Sequence, residues 1–383
     1  MTIRKILAGA ALAVGLALPG LAAAQKDPIR IGAMIALSGP AAVFGGPAEK
    51  ALRVLVENLG PNGIDGHPVQ LTIYDTEGNT TKAVQLFRRL VENDNVHIVL
   101  GPSTSGESLA VVPLANQMQV PNITFGGAEP ITKPTTPYVF ATSPTDRLVV
   151  ENILSDFRER KLSKVALIYS LDAFGQSGGT IARDLANQYG ITIVSEETFG
   201  PQDTNMSPQL LRIRAAQPHA MLVWAANPGP SIVMRNAAEI GLKVPTYASY
   251  ASGSRQFLSQ TGPAAEGVFV PSYRIVAPET LPESDPLKEP LIRFAKLYKD
   301  RWNIDPDQTS GHSYDVVLIL EQALKAIKGP VTRANLRDAI ETAQINGANG
   351  IRRLSAEDHR GLDKTTVVMM QARSGRWQAA PKP

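Results

Sequence analysis

The chain has 383 residues, 43% of them apolar and 19% charged, a globular balance long enough for two separate cores. The formal charge is +3, falling to +1 once residues 1–24 with Arg4 and Lys5 are set aside, so neither a nucleic-acid nor a membrane-surface partner is expected. With no cysteine in the sequence, disulfides, thiolate metal sites, a cysteine nucleophile and a lipid-modified N-terminal cysteine are excluded.

The first segment, "MTIRKILAGAALAVGLALPGLAAAQ", has a basic start, an apolar run from Ile6 to Leu18, the breaker pair Pro19-Gly20 and a small-residue site at Ala22-Ala23-Ala24. This is the pattern of a secretory signal cleaved near Ala24-Gln25, and the run is too short to span a bilayer.

Strand and helix patterns then alternate. Strands are expected at 29–37, 69–76, 96–101, 121–127 and 138–144, with helices at 47–59, 80–93 and 105–118. A second series places strands at 164–170, 191–199, 220–227, 245–250 and 266–273, with helices at 176–189, 207–216 and 229–240. Two successive βαβα runs imply an α/β protein of two doubly wound lobes. "AAVFGG" after the first strand of one series matches "LDAFGQ" after the first strand of the other. Phe44-Gly45 and Phe174-Gly175 are therefore expected in equivalent loops at the ligand-binding edge of each sheet. Beyond the Pro- and Glu-rich stretch "PETLPESDPLKEP" come helices at 288–303, 311–327 and 332–343 and a late strand at 365–373. These elements have to return to the existing sheets, so the chain crosses between lobes more than once and forms a hinge.

Several motifs invite chemistry. "GQSGG" fits the G-x-S-x-G of a nucleophile elbow at Ser177, with Asp315 and His359 downstream, but four residues separate it from the strand it should leave directly. "GPSTSGESLA", 101–110, lies between a strand and a helix yet lacks the lysine of a P-loop. Its hydroxyls at a helix N-terminus suit a carboxylate, held by Ser105 and unsatisfied amides. His67, His97, His219, His312 and His359 are scattered without metal-ligand spacing, so no metal and no cofactor is expected.

Taken together, "IGAMIALSGPAAVFG", "YDTEGNTTKAVQLFRRLVEND", "VLGPSTSGESLAVVPLANQMQVPNIT", "VALIYSLDAFGQS" and "GHSYDVVLILEQAL" resemble the leucine/isoleucine/valine-binding protein family. These are type I periplasmic solute-binding proteins of ABC importers. The resemblance covers about 29–375. It implies two Rossmann-like lobes joined by a three-strand hinge, here 25–145 with 274–345 and 146–273 with 346–383, closing on a ligand. Carried over, Ser105 with the Gly106 amide binds the ligand carboxylate, and Phe44 and Phe174 form walls. Gly126, Gly127 and Ala128 fall on the second carboxylate loop, where Ala128 replaces the family's threonine. Tyr250 falls where amino-acid-binding members carry a glutamate for the α-ammonium. Burying an ammonium without that partner costs several kcal/mol. An aromatic or hydrophobic carboxylate is therefore expected, an amino acid next, with Asn227 available to a ring hydroxyl and Glu129 or Asp172 as possible substitutes for the missing acid. Trp224 and Tyr273 add aromatic area near strand ends.

The expected protein is a periplasmic, monomeric, non-enzymatic binding component. Its partners are a small-molecule carboxylate and a membrane permease. The alternatives are a secreted serine hydrolase using Ser177 and a ligand-sensing receptor-like domain, the latter without a membrane or kinase segment in the sequence.

Overall fold

The computed structural model describes residues 26–382, and the expected secretory segment, residues 1–24, lies outside them. The first half runs β1 (Ile29–Ile35), α1 (Ala42–Leu59), β2 (Val69–Asp75), α2 (Thr80–Glu92), β3 (Ile98–Leu100), α3 (Ser105–Gln117), β4 (Asn122–Thr124) and β5 (Val139–Ala141). The second runs α4 (Asp146–Glu159), β6 (Lys164–Ser170), α5 (Ala173–Ala186), β7 (Thr192–Phe199), α6 (Ser207–Ala215), β8 (Ala220–Trp224), α7 (Gly229–Glu239), β9 (Thr246–Ala248), α8 (Arg255–Thr261) and β10 (Phe269–Ser272). The remainder is α9 (Lys288–Trp302), α10 (Ser310–Ala326), α11 (Arg333–Glu341), the hairpin β11 (Gln344–Gly347) and β12 (Gly350–Arg353), then β13 (Val368–Arg373) and β14 (Arg376–Ala379).

Local chemistry explains these elements. In α2, Ala83, Phe87, Leu90 and Val91 recur at helical spacing and are buried, and Asn79 caps the helix by accepting from the Lys82 amide. The helix α4 was not among the expected elements, although Val149, Val150, Ile153, Leu154 and Phe157 have the same spacing and Thr145 caps it. Strands β1, β3, β6 and β8 are almost wholly buried, as parallel strands covered on both faces must be.

The first sheet has the order β2-β1-β3-β4-β5, all parallel. The second has β14-β13-β10-β9-β8-β6-β7, parallel from β7 to β10 and antiparallel at β13 and β14. Read by rank within each lobe, both follow the doubly wound order 2-1-3-4-5. Its reversal leaves a crevice between the first and third strands. The expected Phe-Gly loops are instead the first turns of α1 and α5. A side chain at Gly45 would sit 1.9 Å from the Ala36 carbonyl, and one at Gly175 2.1 Å from that of Ser170. In both lobes the glycine lets the helix begin directly against the strand it follows, and the preceding Phe is thereby aimed outward from the same edge.

The chain passes between sheets after β5, after β10 and after β12. Val316, Ile319 and Leu320 of α10 pack with Ile31, Ile98 and Leu52 in the first lobe's core. The expected boundary at 345 falls inside β11, and the hairpin stays with the first lobe: Ile345 and Leu354 join that core, and Ala141 N donates to His359 O at 3.1 Å. At the crossings Arg352 is fully buried and donates to the carbonyls of Ala141 (2.9 Å) and Thr142 (2.6 Å) and to Asp315 Oδ2 (3.3 Å). Asp315 also accepts from the Ala348 amide at 2.6 Å. Burial pushes the Asp315 carboxyl up to about 6, while Arg352 and the Ala348 and Asn349 amides favour its charged form.

Asp315→Ala leaves the Arg352 guanidinium buried without a counter-charge and should cost about 3–5 kcal/mol of stability, read as a lower urea midpoint. Adding Arg352→Met should recover much of that loss, because the uncompensated charge goes with it. Additive losses would mean that the two side chains act independently.

Candidate ligand-binding cleft

The two crevices face each other across a cavity of about 310 Å³. Its walls come from the segments after β1 (Phe44), β3 (Ser103 to Gly106), β4 (Phe125 to Gly127), β6 (Asp172 to Phe174), β8 (Asn227) and β9 (Tyr250). Tyr273, Gln308, Thr309 and His312 line it from the connections between lobes. Of the residues expected from sequence, Phe44, Ser105, Gly106, Gly126, Gly127, Phe174, Asn227 and Tyr250 line this space. Ala128 does not: its methyl lies in the core with Ile131 and Val99, and only its amide reaches the site.

At one end stands the start of α3. Thr104 is its cap, accepting from Glu107 N while Glu107 Oε2 takes the Thr104 amide at 3.1 Å. Ser103 Oγ accepts from Ala36 N at 3.1 Å and ties the loop to the end of β1. Ser105 and Gly106 thus present first-turn amides, which have no helical carbonyl to bond. Ser105 Oγ accepts from both Gly127 N and Ala128 N at 3.1 Å. Its two lone pairs are used, so its proton is left to donate, and it meets no acceptor among the described residues.

Arg360, fully buried, sets that arrangement. It donates to Thr132 Oγ1, to the carbonyls of Gly126, Ala128, Ser143 and Pro144 and to Ser143 Oγ, at 2.7–3.3 Å. Because a trans peptide is planar, drawing the Gly126 carbonyl toward Arg360 turns the Gly127 N–H the opposite way, onto Ser105. Two residues on, at the Ala128 carbonyl, the same pull directs the Glu129 N–H across to Ser177 Oγ of the other lobe, at 3.1 Å.

Opposite lies an aromatic wall. Phe174 meets Tyr250 edge-on at 5.5 Å, and Trp224, wholly buried, backs both at 5.7 and 6.1 Å. Trp224 is therefore support for the wall and not part of its surface. The Tyr250 hydroxyl would overlap any side chain at Gly127, 1.6 Å from the Cβ position, so glycine there is what admits the phenol. The hydroxyl makes a long 3.4 Å contact to Asp146 Oδ1. Burial raises the Tyr250 phenol well above its ordinary value, aided by the Asp146 charge, so it stays protonated.

The elbow reading of Ser177 does not assemble. Ser177 lies in α5 with its oxygen engaged by Glu129 N, Asp315 is paired with Arg352, and His359 Nδ1 contacts the Val139 carbonyl. Nor does Ser177 cap α5, a role taken by Asp172, which accepts from Gly175 N at 2.8 Å. Glu129 is paired with Arg147, while Asp172 lines the cavity. Among the described residues no group of three or more His, Cys, Asp or Glu is placed to hold a metal. Sequence reasoning missed Arg360, Asp146 and His312: each acts on partners far away in the chain, where no local spacing marks it.

The sequence pattern of the periplasmic binding protein family matches residues 28–376. The Leu/Ile/Val-binding protein homolog 7 of Brucella suis is 24% identical over 349 residues, covering 88% of this chain and 86% of that protein. An extracellular ligand-binding receptor from Rhodopseudomonas palustris HaA2 superposes with a TM-score of 0.86 at 25% identity, over 92% of this chain and 99% of that one. The branched-chain amino acid transporter substrate binding protein of Streptococcus pneumoniae, in complex with isoleucine, gives 0.80 at 24% identity over 92% and 98%.

Burial pushes Asp146 up to about 7 from its ordinary 3.8, with Ser177, Arg360 and Tyr250 pulling it down and Glu129 pushing it up. Between those values the folded state holds the proton and the unfolded state does not, so this group makes stability fall as pH rises from about 4 to about 7. Asp146→Asn should therefore be more stable than the native protein by about 1–3 kcal/mol at pH 8, with the gap closing near pH 4. Denaturant titrations at the two pH values check this, and a gap of equal size at both would remove Asp146 titration as its cause.

Proposed function

The chain belongs to the periplasmic binding protein family, and from that premise we propose that it is the substrate-binding component of an ABC importer, holding a small carboxylate between its lobes. The observation that carries the carboxylate is Ser105, whose oxygen is saturated by two amides and whose proton is free for an anion. The first-turn amides of Ser105 and Gly106 and the positive end of α3 add to it. Each hydrogen bond to a charged group contributes about 1.5–3 kcal/mol, sufficient for micromolar binding when an apolar body is buried as well.

An aromatic or hydrophobic acid is the ligand this reading favours. Phe44, Phe174 and Tyr250 supply the apolar faces, Gly126 and Gly127 bring the loop backbone close, and Asn227 lies on the opposing wall. An amino acid is the second reading, because Asp172 brings a carboxylate to the cavity and named relatives are Leu/Ile/Val-binding homologues. In the first reading lobe closure buries the ring and presents a surface to the permease. The protein acts as a monomer, exported to the periplasm with residues 1–24 removed, and has no catalytic role.

A thermal-shift panel separates the ligands. A ligand at a hundredfold excess over its Kd stabilises the protein by about 2.7 kcal/mol. Benzoate-type acids should shift the transition and leucine or valine should not; the reverse pattern rejects the favoured ligand. In calorimetry Ser105→Ala should weaken binding about 10- to 100-fold, since the proton donor and the anchor for two amides are both lost. Unchanged affinity would place the carboxylate elsewhere.

A further inference from the structure

The end of the cavity next to the lobe crossings carries a second set of polar groups. His312, on α10, lines the cavity with its ring stacked on Phe125 at 5.3 Å and 10°. Its Nδ1 lies 3.0 Å from both Thr142 Oγ1 and Asn349 Nδ2. An amide NH₂ can only donate, so Nδ1 is the acceptor and the neutral ring carries its proton on Nε2. Nε2 has no partner among the described residues. Burial, reinforced by the nearby charges of Arg352 and Arg360, lowers the His312 pKa to about 3, so the ring stays neutral at physiological pH. Tyr273 faces the same ring edge-on at 6.2 Å and also lines the cavity. It is 1% exposed, and its hydroxyl is buried without a hydrogen-bond partner. Gln308, also in the wall and buried, has an unpartnered Oε1.

A buried donor or acceptor left without a partner is unfavourable, and these come from two chain segments, Tyr273 and 308–312, that line the same cavity. We infer that His312, Tyr273 and Gln308 form a second, neutral polar subsite that takes a hydroxyl on the ligand's body, while Ser105 takes the carboxylate. The inference rests on the carboxylate reading above. A hydroxyl both donates and accepts, which matches an imidazole N–H, a phenol and an amide oxygen. An ammonium does not fit this end. None of His312, Tyr273 and Gln308 is beside a carboxylate that lines the cavity, and the buried Asp315 and Asp146 offset, at Tyr273, the guanidiniums of Arg352 and Arg360, which act on both His312 and Tyr273. A second carboxylate would meet those charges favourably but would leave the Gln308 oxygen opposed to another acceptor. The ligand class that results is a monocarboxylic acid with a hydroxylated, apolar body.

Matched pairs of acids test it by isothermal titration: benzoate against 3-hydroxybenzoate and 4-hydroxybenzoate, and 3-phenylpropanoate against 3-(4-hydroxyphenyl)propanoate. One well-placed neutral hydrogen bond that also satisfies a buried group gives roughly tenfold in affinity. In the native protein at least one hydroxylated acid should bind about tenfold more tightly than its unsubstituted partner. In Tyr273→Phe that ratio should fall toward one, and in Gln308→Met it should fall by a smaller factor. The ratio is taken within each variant, so a general loss of affinity or stability does not move it, and Gln308→Met stands in if Tyr273→Phe does not fold. Unsubstituted acids that bind as tightly as all the hydroxylated ones, or a preference that survives both variants, overturn the subsite while leaving the carboxylate reading intact. Binding of leucine with none of these acids overturns the carboxylate reading itself, and the subsite with it.

Discussion

One buried cation organises the centre of this molecule. Arg360 has no access to water, so its donors must find acceptors in the protein or the fold would carry a large desolvation cost. They find them mainly in the carbonyls of Gly126, Ala128, Ser143 and Pro144, which belong to the loop after β4 and to the first crossing between lobes. The planarity of the peptide group converts that requirement into direction. Two amides are turned outward, one to orient the Ser105 hydroxyl and one to reach Ser177 in the opposite lobe. The ligand end of the cleft and a contact between the lobes thus share one support. A disturbance at Arg360 would be felt at both.

The repeat within the chain explains where the cleft lies. Each lobe reverses its strand order between its first and third strands, and each begins its first helix hard against the preceding strand, with Gly45 and Gly175 permitting the approach. Facing two such edges sets a polar helix start against an aromatic wall. Tyr250 closes the gap because Gly127 has no side chain to oppose it. The apolar wall provides area whose burial is favourable but undirected, and the hydroxyls and amides provide direction with little area. Such a cleft fixes a small ligand by its polar ends.

Much of this was legible in the sequence. Apolar runs of strand length alternating with helical periods fix a two-lobed α/β chain, and a helix start rich in hydroxyls marks Ser105. The close approaches that Gly45, Gly126, Gly127 and Gly175 permit became visible only in the structure. The errors are instructive. Phe44 and Phe174 were expected in loops because matching Phe-Gly stretches follow the first strand of each series, yet each pair opens a helix. The elbow pattern at Ser177 is a coincidence of spacing, since its oxygen serves the amide of Glu129. The boundary expected at 345 cuts through a hairpin whose Ile345 and Leu354 both pack on the first lobe.

What the sequence determined by itself is everything that depends on neighbours within a few residues: period, capping, turn chemistry and the order of the elements. Only the tertiary structure decided which charges are buried together and which peptide groups they turn, because Arg360 meets Gly126, and His312 meets Thr142 and Tyr273, across long stretches of chain. The energy of those contacts comes from desolvation, and desolvation depends on what the whole fold places around a group and not on the residues beside it in the chain.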